Sequence, residues 1–191
     1  MGHSVDYALP DYLTGDDIRR IRKKLNLTQE GFAKLAGVSK AAVVAWENHG
    51  KKITGPIILA VKMLEENPDT EEKLRIPEQE VPLRLLYYYR DTLCTLIDVD
   101  DRIQQVRIKN YTRWTQFRAF GINQEPTYED YQEFLKSRCF PETRDKMKLQ
   151  LRNLGLPFYD PLLIIEKTEG RMAEDDFHIE VKRKRQHGVI V

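Results

Sequence analysis

Residues 25–50 constrain the fold of this chain more than any other segment, because they predict two short helices separated by a tight turn. Thr28 and Ser39 are suited to cap the two helices, since a short hydroxyl side chain accepts a hydrogen bond from first-turn amides. Gly37 lies between the helices and permits the positive φ that ends the first one. Such a helix pair can place its second helix in the major groove of DNA, so the segment predicts binding to a nucleic-acid duplex.

The overall charge is nearly balanced, so a nucleic-acid-binding surface must be local. The 191 residues include 31 Lys and Arg against 30 Asp and Glu, a formal net charge of +1. Basic residues cluster at 19–24 and at 182–185, and such runs are typical of solvated faces as well as of phosphate contacts. The hydrophobic fraction of 41% and the charged fraction of 32% indicate a folded globular protein.

Cysteine and histidine usage predicts neither a metal centre nor a cofactor. Cys94 and Cys139 are too few for a disulfide framework, and their apolar neighbours predict buried free thiols. The four histidines show no metal-ligand spacing with each other or with a cysteine. Because the sequence shows neither a signal segment nor an apolar run of about 18 residues, we expect a cytoplasmic protein without a membrane partner.

Composition divides the chain into four parts. Residues 1–68 predict a helix-turn-helix DNA-binding domain, and residues 69–82, which are acidic and bounded by prolines, predict a linker with one turn of helix. Residues 83–183 predict an α+β companion domain, and residues 184–191 a basic tail. The predicted fold class is an N-terminal all-α helix-turn-helix bundle followed by a small α+β domain with a short antiparallel sheet.

Local signals set the expected element boundaries. Thr14 and Asp17 form a short capping box for the first helix, and another helix begins near Thr54, with Pro56 in its first turn. A hairpin turn is expected at 98–102, where aspartates can bond to their own backbone. The elements expected in the second half are strands at 83–89, 92–99 and 103–108, helices at 128–135, 142–154 and 162–169, and a strand at 177–181.

The spaced set of apolar, capping and turn residues in the first half is specific enough to suggest a family. The set comprises Leu27-Thr28-Gln29, Phe32-Ala33, Leu35-Ala36-Gly37-Val38-Ser39, Val43, Trp46-Glu47 and Gly50. With these positions, residues 14–67 resemble the phage-repressor-like helix-turn-helix family known as Xre or Cro/CI-like. The following Thr54-Gly55-Pro56 and Met63-Leu64-Glu65 resemble the end of the DNA-binding domain in HigA- and MqsA-type antitoxins.

This resemblance implies a set of DNA contacts. Thr28 and Gln29 would lie where the N-terminus of the first helix of the pair approaches a phosphate. Val43 and Trp46 would face inward and hold the recognition helix. The residues implied on its outward side are Ser39, Lys40, Ala41, Ala42, Val44 and Ala45, followed by Lys51 and Lys52 as phosphate contacts.

The outward side of the recognition helix is poor in groups that read base edges. Only Lys40 and Gln29 are long polar residues of the kind that discriminates bases, whereas alanine and valine can contact thymine methyl groups. A second interpretation is that the helical bundle serves as a packing or dimer surface.

Residues 83–181 are similar to a companion domain that follows helix-turn-helix units in proteins of bacterial mobile elements. The similar stretches are Cys94 to Asp100, Val106 to Tyr111, Arg118 to Gly121, Arg138 to Pro141 and Gly170 to Asp175. A fainter similarity to HipA-like proteins rests on Arg138, Pro141 and Arg144 before a helix. The resemblance implies self-association or a protein partner bound through residues 83–181.

The second half contains residue patterns that resemble two kinds of chemical site. Glu180-Val181-Lys182 resembles the E-x-K of metal-dependent nucleases, with Asp160 or Asp176 as the further carboxylate, but nothing in the sequence brings them to one metal ion. The arginines Arg118, Arg138, Arg144 and Arg171 could bind an anionic partner, although internal pairing with Glu142, Asp145 or Glu174 is favoured.

Together these patterns predict a sequence-specific transcriptional regulator that binds double-stranded DNA as a homodimer and represses a mobile-element operon of its own. It is not expected to be an enzyme. The alternative is a bipartite antitoxin or a defence-system inhibitor of the anti-CRISPR kind, whose second domain binds a protein target.

Overall fold

A computed structural model of the protein describes residues 6–143 and 145–184. The chain divides into two compact units, residues 1–76 and 77–191. A helical region with a helix-turn-helix comes first, and a region with a four-stranded antiparallel sheet and helices follows, so the predicted fold class is confirmed. Arg144 and the predicted basic tail beyond Lys184 lie outside the described residues.

The first unit is built from short helices around one core. The helices are α1 (Gly15–Lys24), α2 (Gln29–Ala36), α3 (Lys40–Asn48), α4 (Ile57–Glu66) and α5 (Thr70–Leu74). Ile18, Ile21, Phe32 and Val43 are fully buried where α1, α2 and α3 meet. Leu13 and Ile53 form an isolated antiparallel bridge that joins the chain before α1 to the chain before α4.

The predicted caps are confirmed. Thr14 and Asp17 form a reciprocal capping box at α1. The Thr28 hydroxyl accepts from an α2 amide at 3.0 Å, and the Ser39 hydroxyl accepts from an α3 amide at 3.1 Å. Gly37 ends α2 with φ of 66°, a conformation that glycine adopts without a steric penalty.

Two boundaries in the first unit differ from or refine the sequence predictions. Helix α4 begins at Ile57 rather than near Thr54, because Gly55 has φ of 97° and cannot continue a helix, so that Pro56 becomes the N-cap. Helix α5 occupies residues 70–74 of the segment that the sequence predicted as a linker.

The second unit is a sheet with helices on one face. Its elements are β1 (Leu83–Tyr89), β2 (Thr92–Asp100), β3 (Gln105–Asn110), a short 3₁₀ turn (Thr115–Phe117), α6 (Tyr128–Ser137), α7 (Met147–Leu154), α8 (Pro161–Thr168) and β4 (Phe177–Arg183). The strand order is β3-β2-β1-β4, and every pairing is antiparallel. Leu85, Ile97 and Ile179 from the sheet pack with Tyr131 and Ile165 from the helices in its core.

The hairpin between β2 and β3 turns later than the sequence predicted. The turn occupies residues 101–104, and Asp98 lies inside β2, opposite Arg107. The predicted turn at 98–102 is therefore wrong, because the Asp98 carboxylate has a partner from another strand. Arg84 of β1 donates to both of its oxygens, at 2.6 and 2.7 Å.

Helix α7 is shorter than predicted. It begins at Met147 rather than at Glu142, since Lys146 has φ of 62° and adopts the left-handed conformation directly before it. Helix α8 ends at Thr168, where Glu169 and Gly170 both have positive φ. A left-handed residue stops helical hydrogen bonding, and local sequence does not signal one at a lysine or a glutamate.

Gly15 is required by the close approach of α1 to α3. A Cβ atom at this position would overlap the backbone carbonyl oxygen of Trp46 and lie 3.1 Å from the Cα atom of Glu47. Both neighbours are backbone atoms of α3, so neither can move without moving the helix.

We therefore expect Gly15→Ala to destabilise the first unit by about 1–3 kcal/mol, the usual range for forcing a methyl group into a filled core. Urea unfolding followed by Trp46 fluorescence in a Trp114→Phe background measures it. Gly31→Ala is the matched control, because its Cβ would lie 3.4 Å from flexible side chains, and alanine favours a helix. Equal stability of the two variants would contradict the close approach.

Candidate nucleic-acid interface

A buried carboxylate joins the three helices that form the candidate DNA-binding surface. Glu47 lies on α3 and is 8% exposed. Arg22 of α1 donates to Glu47 Oε1 at 2.7 Å and to Oε2 at 3.0 Å, which is a bidentate pair. Gln29 of α2 donates its side-chain amide to Oε2 at 2.9 Å. One side chain of α3 is thereby fixed to both preceding helices.

The charges of this cluster stabilise each other. Hydrogen bonding from Arg22 lowers the pKa of Glu47, although burial opposes the shift. The same contact raises the pKa of Arg22, so the pair stays ionised. Arg22 also donates to the carbonyl of Leu27, and Arg19 donates to the backbone carbonyl of Glu47 near the C-terminus of α3. A cation in that place complements the helix dipole.

The orientation of α3 leaves a narrow exposed ridge. Ser39, Lys40, Ala41 and Ala45 are exposed, whereas Val43 is fully buried, as predicted for the inward side. The other residues predicted to face DNA, Ala42 and Val44, are half-buried, and the inward-facing Trp46 is half-buried against the core. Small side chains on the ridge would let the helix backbone approach a groove closely.

Two polar residues predicted to read bases have partners within the first unit. Gln29 is half-buried, and its amide group contacts Glu47 as described. Lys40 Nζ lies 3.7 Å from a carboxylate oxygen of Glu30, and both side chains are more than half exposed. An exposed ion pair of this kind is weak, so Lys40 can exchange Glu30 for another acceptor.

The exposed cations predicted to follow the recognition helix are present in the loop after α3. Lys51 and Lys52 are both exposed. Lys52 Nζ lies 4.2 Å from the centroid of the Tyr12 ring, a cation–π distance that orients the side chain. At the other end of the surface, Thr28 caps α2, whose first-turn amides carry partial positive charge.

Sequence reasoning missed the contacts of Arg22 with Glu47 and the exposed position of Asn48. The basic run at 19–24 turns partly inward, since Arg19 and Arg22 contact Glu47. Asn48 is exposed and follows Ala41 and Ala45 at helical spacing, so it extends the ridge with a side chain that can pair with adenine. The spacing 41-45-48 was the signal that could have found Asn48.

The structure describes three of the four arginines considered in the sequence analysis, and all three bond internally. Arg138 is buried and donates to both oxygens of Asp175, at 2.6 and 3.0 Å, and to the carbonyl of Gly170. Its hydrogen bonds lower the pKa of Asp175. Internal pairing was predicted, but for Arg138 the partner is Asp175 rather than Glu142, Asp145 or Glu174; Arg144 lies outside the described residues. Arg171 pairs with Glu169, and Arg118 donates to the carbonyl of Thr112.

The nuclease-like residues do not converge. Glu180 and Lys182 contact each other on β4 at 3.4 Å, whereas Asp160 caps α8 and Asp176 pairs with Arg90. Within residues 6–143 and 145–184, no group of three or more His, Cys, Asp or Glu side chains could hold a metal ion. Cys94 and Cys139 are buried free thiols, and burial raises the pKa of Cys139 to about 12.

Comparison with protein families supports the geometric interpretation of the first unit. Residues 18–61 match the family model described as helix-turn-helix, of the Xre or Cro/CI-like kind. The match runs from α1 into α4 and includes every helix of the Glu47 cluster. That family consists of DNA-binding regulators that generally lack enzymatic activity, so the match supports a DNA-binding regulator that binds double-stranded DNA.

No curated protein matches the chain. Among the described residues, no helix is both long enough and apolar enough to cross a membrane.

The Glu47 cluster predicts an acid-dependent loss of stability. A carboxylate with a lowered folded-state pKa stabilises the fold above its ordinary pKa of about 4.3, and this contribution disappears as the pH falls through the folded-state pKa. We expect Glu47→Gln to lower the free energy of unfolding by about 3 kcal/mol at neutral pH, because Arg22 keeps its charge without a counter-ion. The difference from the parent chain should shrink in acid.

Urea unfolding of both proteins between neutral and acidic pH measures this difference. Glu30→Gln is the matched control, since Glu30 is exposed and its contacts with Lys34 and Lys40 are screened by solvent. A Glu47→Gln protein as stable as the parent at neutral pH would show that the cluster does not hold the helices.

Proposed function

We propose that the chain is a sequence-specific transcriptional repressor that inserts α3 into the major groove as a homodimer. The single observation that carries the proposal is the Glu47 cluster within the helix-turn-helix match. It turns a ridge of small residues outward and holds it rigidly against α1 and α2. A rigid, slender helix with flanking cations fits major-groove docking.

In this proposal, the contacts divide into backbone positioning and base readout. The amides near Thr28 and Gln29 and the ammonium groups of Lys51 and Lys52 bind phosphates. The groups proposed to face base edges belong to Ser39, Lys40, Ala41, Ala42, Val44 and Ala45, with Asn48 added from the structure. Alanine and valine methyl groups would favour sites that contain thymine.

We assign the operator to the promoter of the operon that encodes the chain, and the operon to a mobile element. The resemblance of both halves to mobile-element and antitoxin proteins supports this assignment. It also supports the organisation as a DNA-binding domain at 1–68, a linker at 69–82, a companion domain at 83–183 and a basic tail at 184–191. A homodimer would bind palindromic half-sites about one helical turn apart.

A second candidate is a bipartite inhibitor whose second unit binds a protein target. Two exposed apolar side chains in the segment between β3 and α6 favour it, since Trp114 is 52% exposed and Ile122 is 83% exposed. Exposed aromatic residues are typical anchors of protein interfaces. A purified complex with the product of a neighbouring gene, lost in Trp114→Ala, would support this function, whereas unchanged binding by that variant would exclude this surface.

The DNA-binding proposal predicts two separable effects of lysine removal. Lys40→Ala should relax preference at one base position and cost about 1–3 kcal/mol at the preferred site. Lys52→Ala should weaken binding to all sequences alike and lower the salt slope by about 0.9, since one phosphate contact is lost. In-vitro selection of binding sites from a random library, followed by anisotropy titrations at several salt concentrations, measures both.

Lys62→Ala is the matched control, because Lys62 is an exposed lysine on α4 that pairs with Glu66. It should change neither the preference nor the slope. If Lys40→Ala and Lys52→Ala both bind the selected site as the parent does, α3 is not the docking helix.

A further inference from the structure

The outer edge of β4 is a free strand edge. β4 lies at the end of the sheet, so β1 pairs with only one of its sides. The amide of Lys184 bonds to the carbonyl of Pro82, and the carbonyl of Asp176 accepts from Arg90. Even-numbered residues of β4 therefore bond toward β1, and odd-numbered residues present their amides and carbonyls to the opposite side.

Part of this edge lacks hydrogen-bond partners among residues 6–143 and 145–184. The amide of Ile179 bonds to the carbonyl of Glu169 at 2.7 Å, which closes the N-terminal end of the edge. The outward amides of Val181 and Arg183 have no acceptor within those residues. A groove of about 650 Å³, lined by α8 on one side, runs along them. Unpaired backbone groups on a sheet edge are a template for another strand.

The charges on β4 make the edge complementary to itself. Glu180 and Lys182 flank Val181 on the same face of the strand. When a second β4 pairs antiparallel with Val181 opposite Val181, Glu180 of each copy faces Lys182 of the other. These are non-hydrogen-bonded positions, where cross-strand side chains approach most closely.

The same register satisfies the outward amide and carbonyl of Val181. Each Val181 exchanges two hydrogen bonds with its counterpart, and the backbone pairing ends before Ile179, whose amide already bonds to Glu169. The neighbouring registers with the same hydrogen-bond pattern place Glu180 opposite Glu180 or Lys182 opposite Lys182. Like charges directly opposite each other are destabilising, so the charge pattern selects a single register.

We propose that two copies of this chain associate through the outer edges of β4, so that their sheets join into one antiparallel sheet around a two-fold axis between the Val181 residues. A two-fold contact uses the same edge of both copies and therefore closes at a dimer. The inference rests on the homodimer of the proposed function but needs no DNA, so the two can fail separately.

Sedimentation velocity of the full chain without DNA tests the charge pairing. E180K places lysine opposite Lys182, and K182E places glutamate opposite Glu180, so each variant alone should dimerise at least about tenfold more weakly. An equimolar mixture of the two restores opposite charges at both positions, and it should recover dimers to near the parent affinity. E133K and K136E, exposed changes on α6, are the matched controls and should leave dimerisation unchanged.

Val181→Pro tests the backbone pairing. The outward amide that proline removes has no acceptor among the described residues, so the monomer should keep its fold, checked by circular dichroism, while dimerisation weakens strongly. A parent chain that stays monomeric at high micromolar concentration overturns the inference. A dimer that none of these changes weakens also overturns it, as does a mixture of E180K and K182E that fails to associate. None of these results bears on whether α3 binds DNA.

Discussion

The fold of the first unit depends on a buried carboxylate that must be paired with a cation. Glu47 is buried, and an unpaired carboxylate there would cost several kcal/mol. Arg22 and Gln29 satisfy it from two other helices, so a change in how α1, α2 and α3 meet would break these hydrogen bonds. That arrangement decides which side of α3 faces solvent. The proposed DNA-binding ridge is therefore a consequence of the interior of the bundle.

The second unit uses buried guanidinium groups in the same way. Arg84 joins β1 to Asp98 of β2 and to two carbonyls of the segment before β1. Arg138 joins the end of α6 to the segment before β4, through Gly170 and Asp175. This second cluster fixes where β4 starts, and so which edge and which charges the sheet presents. Paired buried arginines thus position an outer edge that the hydrophobic core alone would not define.

Predictions from sequence succeeded where the deciding interactions are local. The capping hydroxyls of Thr14, Thr28 and Ser39 act within three residues, and Gly37 ends its helix through its own φ. Predictions from sequence failed where a residue distant in the sequence contacts the segment and changes its structure. Asp98 looked like a turn residue, but Arg84 holds it inside a strand. The helix expected at 142–154 begins only at Met147, because Lys146 has a left-handed backbone conformation. The surrounding fold, rather than the local sequence, imposes that conformation on a lysine.

The sequence by itself determined the helix-turn-helix scaffold, the order of strands and helices and the buried state of both cysteines. Hydrophobic periodicity, helix caps and apolar neighbours are signals that depend only on residues close together in the sequence. Only the tertiary structure decided which charges turn inward and which remain outside. Arg22 and Glu47 are 25 residues apart, and Arg138 and Asp175 are 37 apart. Local sequence cannot specify such pairs, because the chain contains many carboxylates that could pair with each arginine. Packing of distant segments decides which carboxylate comes within hydrogen-bond distance.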